Sequence, residues 1–258
     1  MNENKFYLLG AILTVLNISA VNAQEQFATT PSFEENFNTK KLSSDSWGID
    51  VAEFKGHNVY FTNKNHSIRK GILTFNLKKK NYKGCAFTSS SIWTNPKNYT
   101  FGYGKLQIRA RIPATDDCRP AMWLCAVNKT NGLNFEIDLL EHWPGQGPTK
   151  YQANVHLWGT IKGRKNDHKQ YPLVIDKFDI TKWHIYTVEY TSTYIRMLVD
   201  DQEIAQWKKG QLADWTTDIR YKLYLSLACS TTATAHPDKA RTLPQMMNVD
   251  WIRYYKMN

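Results

Sequence analysis

A chain of 258 residues, 42% hydrophobic and 22% charged, is sized for one globular domain with a substantial core. Nine Trp, fourteen Tyr and eleven Phe exclude a disordered chain, and a single apolar run excludes a multi-span membrane protein. The net charge of +10 is scattered, with Lys78-Lys79-Lys80 the one tight run and no nucleic-acid-binding motif beside it, so nucleic acid is not an expected partner.

The first element in chain order is an apolar run from Phe6 to Ala20, preceded by Lys5 and followed by Val21-Asn22-Ala23. It is shorter than the ~20 residues a spanning helix needs, and small residues stand where a signal peptidase reads. Residues 1–23 are therefore expected to be a secretory signal, cleaved near Ala23. Residues 24–258 then form one exported domain, periplasmic or extracellular, taken as a monomer. Removing Glu3 and Lys5 with the signal leaves the net charge unchanged. Export would place Cys85, Cys118, Cys125 and Cys229 where disulfides can form. Three full pairings stay open, and the spacings match no zinc site.

Beyond the signal, stretches rich in Val, Ile, Tyr and Thr recur at 71–77, 104–112, 121–127, 135–140, 151–158, 185–191, 194–199, 221–228 and 247–255. Turn signals such as Asn131-Gly132, Pro144-Gly145 and Asp200-Asp201 separate many of them, and no long 3.6-residue period appears. The expected fold is all-β, a sandwich or jelly roll. Within 105–112, Leu106, Ile108, Ala110 and Ile112 share one face, and Lys105, Gln107, Arg109 and Arg111 the other. The first face is core; the second faces solvent or a binding cleft.

Chemistry concentrates in Asn134–Trp143, where Glu136, Asp138 and Glu141 interrupt an apolar strand. On a regular strand Glu136 and Asp138 share a face and Glu141 points to the other. One extra residue at Leu139 or Leu140, taken up as a β-bulge, would return Glu141 to the face of Glu136. Three acids without cations between them raise at least one pKa, a cost expected where one acid stays protonated and another ionised. Glycoside hydrolysis needs that division, with one carboxylate attacking the anomeric carbon and one carboxylic acid protonating the leaving oxygen. A calcium site would instead draw oxygens from a loop.

Glu136-Ile-Asp-Leu-Leu-Glu141 resembles the E-x-D-x-x-E signature of glycoside hydrolase family 16 in its bulge-bearing form. The similarity extends through Phe101–Pro113, Pro120–Leu124, Trp183–Tyr190, Ile195–Asp200 and Val249–Tyr255, which follow in the family's order. It implies a concanavalin-like jelly roll of two antiparallel sheets, with a cleft across its concave face and net retention of anomeric configuration. By the same resemblance Glu136 is the nucleophile, Glu141 the general acid/base and Asp138 the group between them. His156 resembles an assisting histidine beside the acidic strand, and Trp123 a tryptophan that stacks on sugar near the cleavage point. Trp93, Trp143 and Trp158 are further candidate platforms, Asn154 shares a face with His156, and Arg109 is a candidate donor to sugar hydroxyls or sulfate. No cofactor is required. Some members carry a structural calcium on the convex side, for which Asp250 is the candidate ligand and Glu35 a weaker one.

The sequence departs from the β-1,3-glucan-cleaving pattern at Arg119, where Trp is usual, at Phe135, where Gly is usual, and in His142-Trp143-Pro144. These departures and the basic chain point to endo-cleavage of galactose-containing glycans, at internal β-1,4-galactosidic bonds of poly-N-acetyllactosamine, mucin O-glycans or keratan. The alternative is an endo-β-1,3(1,4)-glucanase on laminarin or mixed-linkage glucan, with agarase, porphyranase and carrageenase activities as variants. A non-catalytic lectin on the same scaffold would dispense with one carboxylate, and all three are present.

Overall fold

A computed structural model describes residues 27–128, 132–215, 219–236 and 243–258, so the expected signal at 1–23 lies outside the described residues. Apolar and polar side chains alternate along most strands, and two sheets bury their apolar faces against each other. One sheet runs β16 (Gln202–Lys208), β15 (Tyr194–Val199), β14 (His184–Tyr190), β8 (Gly104–Arg111), β18 (Gln245–Lys256), β6 (Ile72–Tyr82) and β5 (His66–Arg69), with β1 (Phe33–Glu35) also on β18. The other places β12 (Arg164–Gln170) and β13 (Leu173–Asp176) against β11 (Lys150–Ile161), followed by β10 (Leu133–Glu141), β9 (Cys118–Ala126), β17 (Tyr221–Cys229) and β7 (Cys85–Thr94). β2 (Trp47–Ile49) and β4 (Val59–Phe61) also pair with β7, and β3 (Glu53–Phe54) with β4. The pairs are antiparallel except β4 with β7. The far end of β6 leaves the first sheet to pair with β7, which ties the layers together.

Every stretch expected to be a strand falls in one. Asp200 and Asp201 have φ of 48° and 63° between paired Val199 and Gln202, the two-residue turn whose twist suits a hairpin. The core is where the sheets meet: Ile108, Tyr186 and Val188 from one, Ile137, Leu124, Leu223 and Leu225 from the other, all buried. The four cysteines are unbridged; Cys118 and Cys229 are register partners across β9 and β17, both fully buried.

The expected placement of Arg109 is corrected here. Arg109 does not reach the acidic strand. Its strand β8 is paired with β14 and β18 in the opposite sheet, and its polar face turns outward. There the guanidinium pairs with Asp250 and lies 4.8 Å from the centre of the Trp183 ring. Asp250 therefore already has its cation. Glu35 accepts from Trp47 Nε1 at 3.0 Å and the Phe37 amide at 2.8 Å. Both carboxylates are thus engaged by protein partners.

Ile137 is fully buried in β10 and faces away from the carboxylates. Ile137→Ala is expected to cost about 2–5 kcal/mol, read as a lower urea midpoint at unchanged slope.

Candidate active site

The site is built on β10. Leu133, Phe135 and Ile137 face the core, so Glu136 and Asp138 face outward. Glu136 stands opposite Cys125 on β9 and His156 on β11, and Asp138 opposite Trp123 and Asn154. The register then shifts: three steps along β10 from Asp138 to Glu141 match two on β9, Trp123 to Ala121, and two on β11, Asn154 to Gln152. Leu139 and Leu140 are both buried by this bulge, and Glu141 emerges on the same face as Glu136.

Direct cross-strand partners share a face, so the sheet sets out a row of side chains across four strands: Trp93 on β7, Tyr224 on β17, Trp123 on β9 and Asp138 on β10. Trp123 and Tyr224 stack at 4.8 Å with their planes 7° apart. Trp93 donates through Nε1 to Asp50 at 3.1 Å, and the Lys222 ammonium sits 4.9 Å from its ring centre. Gly48 lets the Trp93 indole lie against the backbone, since a Cβ there would come within 2.2 Å of the ring. Phe54, Arg119, Trp123 and Ser226 join the three acids around a pocket of about 150 Å³.

Arg119 Nη2 donates to Glu141 Oε1 at 2.8 Å, and its guanidinium covers the Trp143 ring at 4.0 Å. Trp143 thus backs an arginine, and one of its faces is taken. On the other flank Asp138 Oδ2 lies 3.0 Å from His156 Nε2, and Asn154 Nδ2 donates to that same nitrogen at 2.9 Å. The Trp158 ring lies parallel to that of His156, 5.1 Å away. Trp93, Trp123, Trp158, Asn154 and His156 are therefore on the acidic sheet with Glu136, Asp138 and Glu141, and Arg109 is not. Phe135 is buried against Leu212 and Ile219, so of the departures noted in the sequence it forms no wall of the pocket, whereas Arg119 does.

Burial and the neighbouring Asp138 push the Glu136 carboxyl well above its ordinary range, opposed by His156 and Arg119. Asp138 is 3% exposed, and burial together with Glu141 raises it as well. Two acids so placed share a proton at neutral pH. Burial lowers His156, against the pull of Glu136 and Glu141. Glu136, Asp138 and His156 each bring one ligand atom within 4.8 Å of the others, Asn154 Nδ2 faces His156 Nε2, and a guanidinium stands beside Glu141.

Tyr224 and Phe54 were absent from the sequence-derived site, and Arg119 entered it only as a departure from the glucan-cleaving pattern. Tyr224 had a legible signal, because Lys222, Tyr224 and Ser226 alternate with Leu223, Leu225 and Leu227. Phe54 comes from a two-residue strand with no period to read.

The family model for glycosyl hydrolases family 16 matches residues 53–253. The chain belongs to that family. A beta-glucanase of Rhodothermus marinus is 27% identical over 237 residues, covering 82% of this chain and 79% of its own length. Among solved structures, the laminarinase from Rhodothermus marinus superposes with a TM-score of 0.76 at 23% identity, over 91% of this chain and 99% of its own. A structure from work on endo-acting O-glycanases of the human gut microbiota that initiate mucin breakdown superposes with a TM-score of 0.78 at 21% identity, over 88% and 91%. Both likenesses are of fold. This family-16 protein is a glycoside hydrolase, and its sandwich is the jelly roll that the sequence implied.

The crowded acids make a stability prediction. A carboxyl raised on folding weakens the fold as pH climbs above its unfolded value, here the ordinary 4.5 of a glutamate. Glu136→Gln removes that penalty. The variant is expected to be more stable than the wild type by about 1–2 kcal/mol at pH 7, with the gain vanishing near pH 4. Thermal unfolding at the two pH values measures it.

Proposed function

We propose that this family-16 endo-β-glycosidase is a retaining endo-β-1,3(1,4)-glucanase acting on laminarin-type or mixed-linkage glucans. The beta-glucanase relative, similar along most of the chain, carries the substrate class. The three carboxyls on one face carry the chemistry. Glu136 attacks the anomeric carbon while Glu141 protonates the glycosidic oxygen, and Glu141 then takes a proton from the water that hydrolyses the glycosyl ester. Arg119 holds Glu141 by Oε1, which leaves Oε2 for the leaving oxygen. Asp138 keeps the shared proton, so Glu136 is the ionised member of the pair. Trp123 with Tyr224 and, one strand further, Trp93 offer faces to successive sugar rings. Removal of residues 1–23 and export fit a polymer that does not enter cells.

A second reading is favoured by Arg119, a cation in the wall where glucan-cleaving members usually carry Trp. It is cleavage at internal β-1,4-galactosidic bonds of poly-N-acetyllactosamine, mucin O-glycans or keratan.

One experiment separates the two: mass spectrometry of products from laminarin, lichenan, keratan and mucin O-glycans, each incubated separately. Glucose oligomers from the first two are expected; products ending in a new reducing galactose would move the enzyme to the second reading. Glu141→Gln is expected to lower turnover of natural polysaccharide by about 10²-fold or more while binding persists. Unchanged cleavage by this variant would overturn the acid assignment.

A further inference from the structure

Next to the acidic strand, the hydrogen bonds run in one direction from the pocket to the surface. Tyr171 N–H donates to Asn154 Oδ1 at 2.9 Å, which fixes the amide so that its Nδ2 faces His156. Nδ2 can only donate, so His156 Nε2 must present its lone pair. A neutral His156 then carries its hydrogen on Nδ1, which lies 2.9 Å from His168 Nε2. His168 must in turn accept there and carry its own hydrogen on Nδ1. At the inner end, Asp138 Oδ2 is buried, 3.0 Å from the bare His156 Nε2, and accepts no hydrogen bond. A bare carboxylate oxygen facing a lone pair is repelled, and a protonated one donates to it. At the outer end His168 is exposed on β12.

We propose that His156 and His168 form a proton path from Asp138 to solvent, with His168 as a positioning residue of the active site that holds His156 in its Nδ1–H tautomer. The proposal rests on the glycosidase roles given above. While Glu136 is ionised, its charge keeps a proton on Asp138. When Glu136 becomes the glycosyl ester that charge is gone. The Asp138 Oδ2 proton then moves to His156 Nε2, breaking the hydrogen bond from Asn154 Nδ2 to that nitrogen, as the His156 Nδ1 proton moves to His168 Nε2. Asp138 gains a negative charge and His168 a positive one, and His168 passes the extra proton to water from its exposed ring. Hydrolysis of the ester restores the charge on Glu136 and draws a proton back. Sugar filling the pocket closes the direct route, and the path leaves sideways through β11 and β12.

The charged groups facing the path support this direction. Glu136 and Glu141 on β10 face His156, and Arg119 on β9 lies beside Glu141. His168 is flanked by Asp167, itself paired with Arg164 and Lys169, and by the rings of His156 and Trp158. Partial burial and His156 lower the His168 imidazole from its ordinary value, against the pull of Asp167.

The test uses the full chain with His168→Ala and His168→Gln, in dilute buffer, with and without added imidazole. Loss of the relay behind a general acid/base system is expected to lower kcat about tenfold at unchanged KM and to alter the kcat–pH profile. Imidazole is expected to restore turnover to His168→Ala. Wild-type kcat and pH profile in both variants, or a loss that imidazole does not repair, would overturn the path. Nitrogen-15 NMR of the histidine rings needs no substrate: His156 should be the Nδ1–H tautomer in the wild type, and Nε2–H would overturn the path by itself. If the wild type cleaves no polysaccharide, the glycosidase reading fails, and the tautomer still decides this one.

Discussion

The active site depends on one extra residue in one strand. β10 must bury Leu133, Phe135 and Ile137 against the opposing sheet, and strict alternation would then send Glu141 into that core. The bulge at Leu139–Leu140 lets two consecutive leucines fill the core and returns Glu141 to the outer face. The fold gives up a regular ladder at this point and gains a third carboxyl beside the first two. The neighbouring strands accept the shift because β9 and β11 each keep pairing on both sides of it.

Crowding the carboxyls creates an electrostatic cost that the surrounding strands distribute unevenly. Arg119 from β9 meets Glu141, and His156 from β11 meets Asp138, so the two ends of the cluster have different partners. The middle of the cluster has burial and mutual repulsion, which raise Glu136 and Asp138 together. Different surroundings for chemically similar groups are how a hydrolase keeps one acid ionised and another protonated at a single pH. The aromatic row from Trp93 to Trp123 follows from the same register that sets the acids, so the rings and the carboxyls share one face of the sheet.

Membership of family 16 explains why the scaffold superposes on laminarinases and on an O-glycanase alike. The pocket walls are where this chain differs. Arg119 replaces an aromatic wall by a cation whose charge goes to Glu141 and whose flat face goes to Trp143. Phe135, equally unusual in the sequence, has no such effect, because alternation turns it into the core beside Leu212 and Ile219.

Much of this molecule was legible in the sequence. Apolar alternation located the main strands, because one buried face imposes a period of two, and the spacing of Glu136, Asp138 and Glu141 put all three on one face only with a bulge between them. Other elements left no such trace. β12, Arg164–Gln170, is polar on both faces and shows no alternation, so His168 could not be placed beside His156. Arg109 and Asn154 lie on equally clean alternating strands, and the sequence cannot tell which of two sheets a polar face belongs to. Periodicity records how each strand divides between inside and outside. Which strands become neighbours, and so which side chains meet Glu141 and Asp138, is fixed by long-range pairing, and the tertiary structure alone decided that.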